Sequence, residues 1–294
     1  MTMLCFGESL NVMMTKIKRA FKERDPGPIQ EEARRQVEKG MDYIDINLGP
    51  AKKDGVELMP WVVETVQEVC DLPLLLDTSN IDAIEAGLKV CKQTPIINSI
   101  MCRPERYEKM IPMAAEYNAD FVALMWGPEG LPRDENERAM LWVELMSVAN
   151  EAGIPNEKIW VDGIVTPVNV QQDQAMKLIA FYEMLPDMSP GVRSTCGLSN
   201  VSNGAPEHLR PILNQTYAVM LEKYGMQSII TDPLDETMTA IAKGQRPEIV
   251  DVINKTMDGD EPDLNSLSKE LGDYVKTTRV IMGKSLYSDS WLEL

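Results

Sequence analysis

Seven carboxylates and carboxamides stand at or beside the ends of apolar or β-branched runs: Asp45, Asn47, Asp77, Asn98, Asp162, Asn200 and Asp232. Asp77 follows Leu74-Leu75-Leu76 and Asn98 follows Ile96-Ile97. Asp162 follows Trp160-Val161 and precedes Gly163, which allows close backbone approach. An ionised carboxylate only accepts hydrogen bonds, whereas a carboxamide donates and accepts. Gathered in one place, such groups are complementary to the alternating nitrogens and carbonyl of a nitrogen-rich heterocycle. Asp77 would accept both donors of a 2-aminopyrimidine-like edge. No lysine or histidine shares these positions, so recognition by hydrogen bonds fits them better than hydrolysis. Each residue also has a purely structural use. Asp77 could hold neighbouring backbone amides, and Asn98 could close its strand as an Asx turn. Asn200, within the Gly-flanked run Gly197-Leu198-Ser199-Asn200-Val201-Ser202-Asn203-Gly204, could serve turn geometry alone.

These side chains meet only if the fold gathers strand ends. Eight strand-then-helix units of roughly 20–40 residues predict an α/β chain folded as a single (β/α)8 TIM barrel, with the active site at the C-terminal ends of its strands. The strands are expected over 3–8, 42–47, 73–78, 95–99, 120–126 and 158–162, with a seventh ending near 197–200 and an eighth over 228–231. Helices are expected over 27–39, from Pro60 onward, after Asn80 as an N-cap, over 105–117 with a kink at Pro112, and from Asp134 through Ala149. Further helices are expected over 209–223, from 235, and over 267–282. The acidic, turn-prone stretch 258–266 is read as a surface excursion.

Composition narrows the function classes. With 294 residues, 44% hydrophobic content and a mean hydropathy of −0.21, the chain can bury a sizeable core. No apolar run approaches the ~20 residues needed to cross a bilayer, and the N-terminal residues carry no signal-peptide pattern. A cytoplasmic protein is expected. A net charge of −17 argues against nucleic acid and anionic membranes as partners, while it favours solubility and can guide a protein partner. Five cysteines without CxxC spacing predict buried thiols, neither a disulfide framework nor a structural zinc site. His208, the only histidine, sits in a Pro/Glu-rich stretch and reads as a loop or helix-start residue.

Other barrel chemistries fit less well. Glycosidases need paired carboxylates, commonly after the fourth and seventh strands, where this chain has Asn98 and Asn200. Schiff-base aldolases need a lysine at a strand end. Metal-assisted enolisation needs a lysine or histidine base beside its carboxylates; no metal is expected. Gly197-Leu198-Ser199 lacks the second glycine of a nucleophile elbow.

Five blocks in order resemble the pterin-binding barrels. They are Asp45-Ile46-Asn47-Leu48-Gly49-Pro50, Leu76-Asp77-Thr78-Ser79-Asn80, Ile97-Asn98-Ser99, Trp160-Val161-Asp162 and Gly197-Leu198-Ser199-Asn200-Val201-Ser202. Among these barrels the chain is most similar to the methyltetrahydrofolate:corrinoid protein methyltransferases, over nearly its whole length. The resemblance implies methyl transfer between N5 of tetrahydrofolate and the cobalt of a corrinoid (cobalamin) carried by a partner protein, as in acetogenesis or O-demethylation. It implies Asp77, Asn98 and Asp162 as pterin ligands and Asn200 as the contact to N5 and the catalytic residue. Gly197, Ser199, Asn203 and Arg210 would line the folate, and a homodimer is implied. Three departures stand out: a longer loop over 203–210, an insertion near 244–276, and Glu8-Ser9 in place of a Glu-Arg pair. Two alternatives remain open, a dihydropteroate synthase-like pterin enzyme and a non-catalytic folate-binding subunit of a methyltransferase complex.

Overall fold

The computed structural model describes residues 2–260 and 262–293. Eight parallel strands form one sheet: β1 (Leu4–Asn11), β2 (Tyr43–Gly49), β3 (Leu74–Thr78), β4 (Ile96–Met101), β5 (Asp120–Leu124), β6 (Ile159–Asp162), β7 (Arg193–Ser194) and β8 (Ser228–Thr231). Consecutive strands pair from β1 to β7, and β8 pairs back onto β1. Between them run α1 (Thr15–Glu23), α2 (Pro26–Glu38), α3 (Gly55–Gln67), α4 (Ile81–Leu88), α5 (Pro104–Glu116), α6 (Glu135–Glu151), α7 (Val168–Met188) and α8 (Arg210–Glu222). After β8 come α9 (Glu236–Ala242), α10 (Pro247–Met257) and α11 (Lys269–Ile281). The expected TIM barrel is the observed fold. No helix among the described residues is long and apolar enough to cross a membrane.

The barrel has two apolar compartments. The larger lies between strands and helices, where α3 buries Met59, Val62, Val63 and Val66 and α4 buries Ala83, Ile84 and Leu88. The smaller is the barrel interior: Phe6, Leu75, Ile96, Val122, Trp160 and Ile230, with Leu4 and Tyr43 against them. Strands buried on both faces read as continuous apolar runs, which is why Leu74-Leu75-Leu76 shows no alternation. Period-two geometry still operates on them. Two residues beyond Phe6, Tyr43, Leu75, Ile96, Trp160 and Ile230 stand Glu8, Asp45, Asp77, Asn98, Asp162 and Asp232, one layer nearer the mouth.

Aromatic rings seal the opposite end. Phe6 lies 4.6 Å from Tyr43 and 5.4 Å from Trp160, measured between ring centroids. The Arg193 guanidinium stacks 4.7 Å from the Trp160 ring. Asp120 accepts from Trp160 Nε1 at 3.2 Å and pairs with Lys158 at 3.5 Å. Tilted and edge-on aromatic pairs of this kind each contribute about 1 kcal/mol beyond their buried area.

Several elements depart from expectation. The chain from β1 to α2 inserts α1, whose buried face is only Ile17, Ala20 and Phe21; so short an apolar signal was missed, as was α7. Helix α3 starts at Gly55, with Pro60 inside it, because burial of the flanking Met59 and Val62 outweighs the hydrogen bond that proline removes. Strand β5 ends at Leu124, short of Trp126. The seventh strand is only Arg193–Ser194, not a run to 197–200; Gly197 makes one isolated bridge to Ile230, and Leu198–Ser202 coil as a 3-10 helix. The β7–β8 seam is completed by two serine side chains and one backbone bond. Ser228 Oγ donates to Ser194 O at 2.9 Å, Gln227 N donates to Ser194 Oγ at 3.0 Å, and Ile230 N donates to Cys196 O at 2.8 Å. Asn80 caps α4 as expected, accepting from Asp82 and Ala83 N–H. The region 244–276 holds α10, a 3-10 turn and the first half of α11, packed together against α8.

Candidate functional site

The mouth layer is built from strand ends whose register shifts. Irregularities fall between Gly7 and Leu10 in β1, Asn47 and Gly49 in β2, and Ile97 and Ile100 in β4. Bulges at barrel rims re-aim side chains, and all three lie beside the polar residues of interest.

On one side of the mouth, Asn47, Asp77 and Asn98 are neighbours across three strands, Asn47 facing Asp77 and Asp77 facing Asn98 in register. Asn47 Nδ2 donates to Asp77 Oδ2, while its Oδ1 accepts from Gly49 N at 2.9 Å. Asn98 Nδ2 donates to Asp45 Oδ1 at 3.0 Å. That bond commits the Asn98 amide group inward and leaves its oxygen as the acceptor. Asp77 is therefore held by a carboxamide and not by backbone amides, and Asn98 is held by a carboxylate and not by an Asx turn.

On the other side, Asp162 accepts from Ile164 N at 2.8 Å and from the Gly197 N–H. Ser199 Oγ donates to Glu8 Oε1 at 2.6 Å. Arg210 Nε donates to Ser202 Oγ at 3.2 Å, and that hydroxyl donates to Ser199 O at 3.2 Å. The Asn200 side chain is exposed and takes no hydrogen-bond partner among the described residues. Asn203 is exposed at the end of the same 3-10 turn. Asp232 is exposed and caps its own turn through Leu234 N at 2.9 Å. Half-buried Glu8 links the two sides: its charge is felt by Asp45, and it feels Asp232 and Arg210 in turn.

Burial dominates the electrostatics. It raises the Asp77 carboxyl to about 7. It raises Asp162 to about 6 against the pull of the Ile164 and Gly197 N–H groups and of Arg138. Asp45 is pushed well above the usual carboxylate range by burial and then by the nearby Asp77. Glu8 is raised by burial, partly offset by the Ser199 hydroxyl. Asp77 and Asp162 so poised hold or release a proton near neutrality, and a donor-rich ligand draws them into the ionised form. Perturbed carboxyls gathered at one end of a barrel are candidates for a functional site.

Residues 7–232 match the sequence profile of the family described as pterin binding enzyme. The chain belongs to that family. Methylcorrinoid:tetrahydrofolate methyltransferase from Eubacterium limosum is 26% identical over 238 residues, covering 80% of this chain and 87% of that protein. Methionine synthase from Mycobacterium leprae is 26% identical over 240 residues, but that match spans only 20% of the larger protein. A solved dihydropteroate synthetase with a product superposes with a TM-score of 0.64 at 19% identity, covering 84% of this chain and 95% of that one. Yersinia pestis DHPS with a pterine-sulfa conjugate gives the same TM-score of 0.64.

This pterin-binding barrel brings Asp77 and Asn98 together on β3 and β4, and Asp162, Gly197 and Ser199 together across β6 and the segment after β7. Glu8, Asp45 and Asn47 belong to the same layer; Asp45 and Asn47 are legible in the sequence as polar strand endings but carry no individual site role there. The signal for them was present, since each lies two or four residues past Phe6 or Tyr43 in the barrel interior. No group of three or more metal-ligating side chains occurs among the described residues. The cysteines are free, and burial raises the Cys5 thiol to about 11 and the Cys91 thiol to about 12. Such thiols are poor nucleophiles at neutral pH. His208 lies exposed in a short 3-10 turn.

Proposed function

We propose that this protein is a methyltransferase acting between N5 of tetrahydrofolate and the cobalt of a corrinoid held on a partner protein. Asp77, Asn98 and Asp162 would bind the pterin ring, with Asp77 and Asp162 accepting from ring N–H groups and Asn98 offering the oxygen that its bond to Asp45 leaves as an acceptor. Gly197, Ser199, Asn203 and Arg210 would line the rest of the folate, Arg210 offering a fork suited to a carboxylate. The similarity to the Eubacterium limosum enzyme supports this reading over the dihydropteroate synthase alternative. Against that alternative, Ser199-Asn200-Val201 and Thr231-Asp232-Pro233 provide neither the lysine nor the Ser-x-Arg element of the synthases.

The observation that carries the reading is the free carboxamide of Asn200, next in sequence to a serine tied to a half-buried carboxyl. Methyl departure from N5 is easier once that nitrogen gains a proton, because a neutral amine then leaves. Asn200 can accept a hydrogen bond from the proton at N5 and strengthen it as positive charge develops there, which is stabilisation specific to the transition state. Glu8, whose carboxyl burial pushes above its usual range, and Ser199 offer a route by which that proton reaches the site. Asp77, Asn98 and Asp162 fix the ring so that the methyl group faces out of the mouth. The corrinoid supplies the methyl-accepting or methyl-donating cobalt when the partner docks.

The same barrel serves transfer in either direction, since a catalyst leaves the equilibrium unchanged. A homodimer is part of the proposal; Met140 and Val143, exposed on α6, are candidates for its interface. The test is spectroscopic. Adding the protein and methyltetrahydrofolate to free cob(I)alamin should remove its absorbance as the methylated form appears. Asn200→Ala should slow that change by about 100-fold while pterin affinity stays within about threefold. Pterin binding without any transfer would instead assign the chain a non-catalytic folate-binding role.

A further inference from the structure

Arg138 of α6 is fully buried, with 0% of its surface exposed. Its guanidinium stays charged in any protein environment, yet no carboxylate among the described residues bonds to it. Nε donates to Gly163 O at 2.8 Å, Nη2 donates to Gln174 Oε1 at 2.9 Å, and Nη1 finds no partner. A buried charge without a bonded counter-charge is among the most costly things a core can hold, and such departures cluster where function demands them.

The bond to Gly163 shows what Arg138 holds. Gly163 N donates to Tyr182 Oη at 2.9 Å, and that hydroxyl donates to Thr195 O at 3.1 Å. The Gly163 peptide units are thus gripped on both sides, from α6 and from α7. A Cβ at this position would stand 2.4 Å from Leu178 Cδ1, so the glycine is pressed against α7. The next residue, Ile164, is a β-branched side chain at φ +70°, a conformation that persists only where surroundings enforce it. That enforced turn aims Ile164 N at Asp162 Oδ1.

We propose that Arg138 is a positioning residue for Asp162. It fixes the Asp162–Ile164 turn through the Gly163 carbonyl, and its buried positive charge favours the ionised form of the carboxylate so held. The inference rests on the pterin-binding role given to Asp162 above. Of the ionisable groups among the described residues that act on Asp162, Arg138 from α6 is the only cation; Tyr182 from α7 and Cys196 after β7 both disfavour its charge when ionised. Tyr217 from α8 faces Arg138 and Cys196.

The test reads Asp162 directly. In the full chain carrying 13Cγ-labelled aspartate, with the Asp162 signal assigned by Asp162→Asn, the carboxyl is titrated without ligand, and tetrahydrofolate affinity is measured from pH 6 to 9. Arg138→Gln should raise the Asp162 midpoint by about one pH unit or more. Tetrahydrofolate affinity should fall about threefold at pH 6.5 and recover toward that of the unaltered protein by pH 8.5. Arg138→Met is the second variant, since exchange of a buried charge for a packed apolar side chain is commonly tolerated. Folded variants whose Asp162 midpoint and binding profile coincide with those of the unaltered protein would overturn the proposal. A shifted midpoint in a protein that binds no pterin at any pH would overturn the pterin reading and leave the positioning of the carboxylate standing.

Discussion

Replacing Asp77 by Asn should make the protein more stable and its pterin binding weaker. Asp77 carries its proton up to about pH 7 in the folded chain, against a usual value of 3.8. Between those values the folded state keeps a proton that the unfolded chain has shed, so stability is lost as pH rises through the window. At about 1.4 kcal/mol per pH unit, the cost is about 4 kcal/mol at pH 8, of which about 3 kcal/mol accrues between pH 5 and pH 8. Asparagine never ionises, and its oxygen can still accept from Asn47 Nδ2 as Asp77 does. It also removes the charge that raises Asp45. Urea unfolding of both proteins at pH 5, 6, 7 and 8 checks this: the advantage of Asp77→Asn should widen steadily with pH and reach at least about 2 kcal/mol at pH 8. Pterin affinity should fall by about 100-fold, since the amide presents a donor where the ligand offers another. An advantage that stays flat with pH, or a variant less stable than the parent at pH 8, would refute the reasoning. Stability withheld at a functional site in this way is a common exchange.

Three further outcomes are expected. Glu8→Gln should slow methyl transfer by about tenfold, with pterin affinity little changed, as read by the cobalamin absorbance assay. Asp45→Ala should weaken pterin binding by about tenfold, because the Asn98 amide loses its only partner and a buried donor left unpaired costs about 1–3 kcal/mol; isothermal titration calorimetry measures it. Gly163→Ala should destabilise the fold by about 1–3 kcal/mol, since its methyl would meet Leu178 and Phe181, a loss visible in the urea midpoint.

The strand-then-helix rhythm of the sequence carried the barrel, because apolar runs ending on polar residues survive whatever the helices do. Asn80 was legible for the same local reason: a cap needs only its own turn. The failures are tertiary. Arg193–Ser194 is too short to show a strand pattern, and its pairing is replaced by Ser194 and Ser228 side chains that no periodicity reports. Pro60 argues locally against a helix that burial nevertheless sustains. Within the mouth, Asp77 and Asn98 were visible as strand ends, but the inward bonds from Asn47 to Asp77 and from Asn98 to Asp45 depend on registers set by bulges. Glu8 was noticed only for the residue following it, although its tie to Ser199 spans 191 positions of chain. Arg138 follows the charged helix start Asp134–Glu137, and nothing local in the sequence reports that it is buried.

The stacked rings of Phe6, Tyr43 and Trp160, with Arg193 behind them, fill the lumen on the side away from the carboxylates. Under the proposed function, a pterin lodged against those carboxylates would have to arrive before the corrinoid protein covers the mouth and could leave only after that protein had gone. Turnover on such a scaffold would then run as an ordered queue: first in, last out.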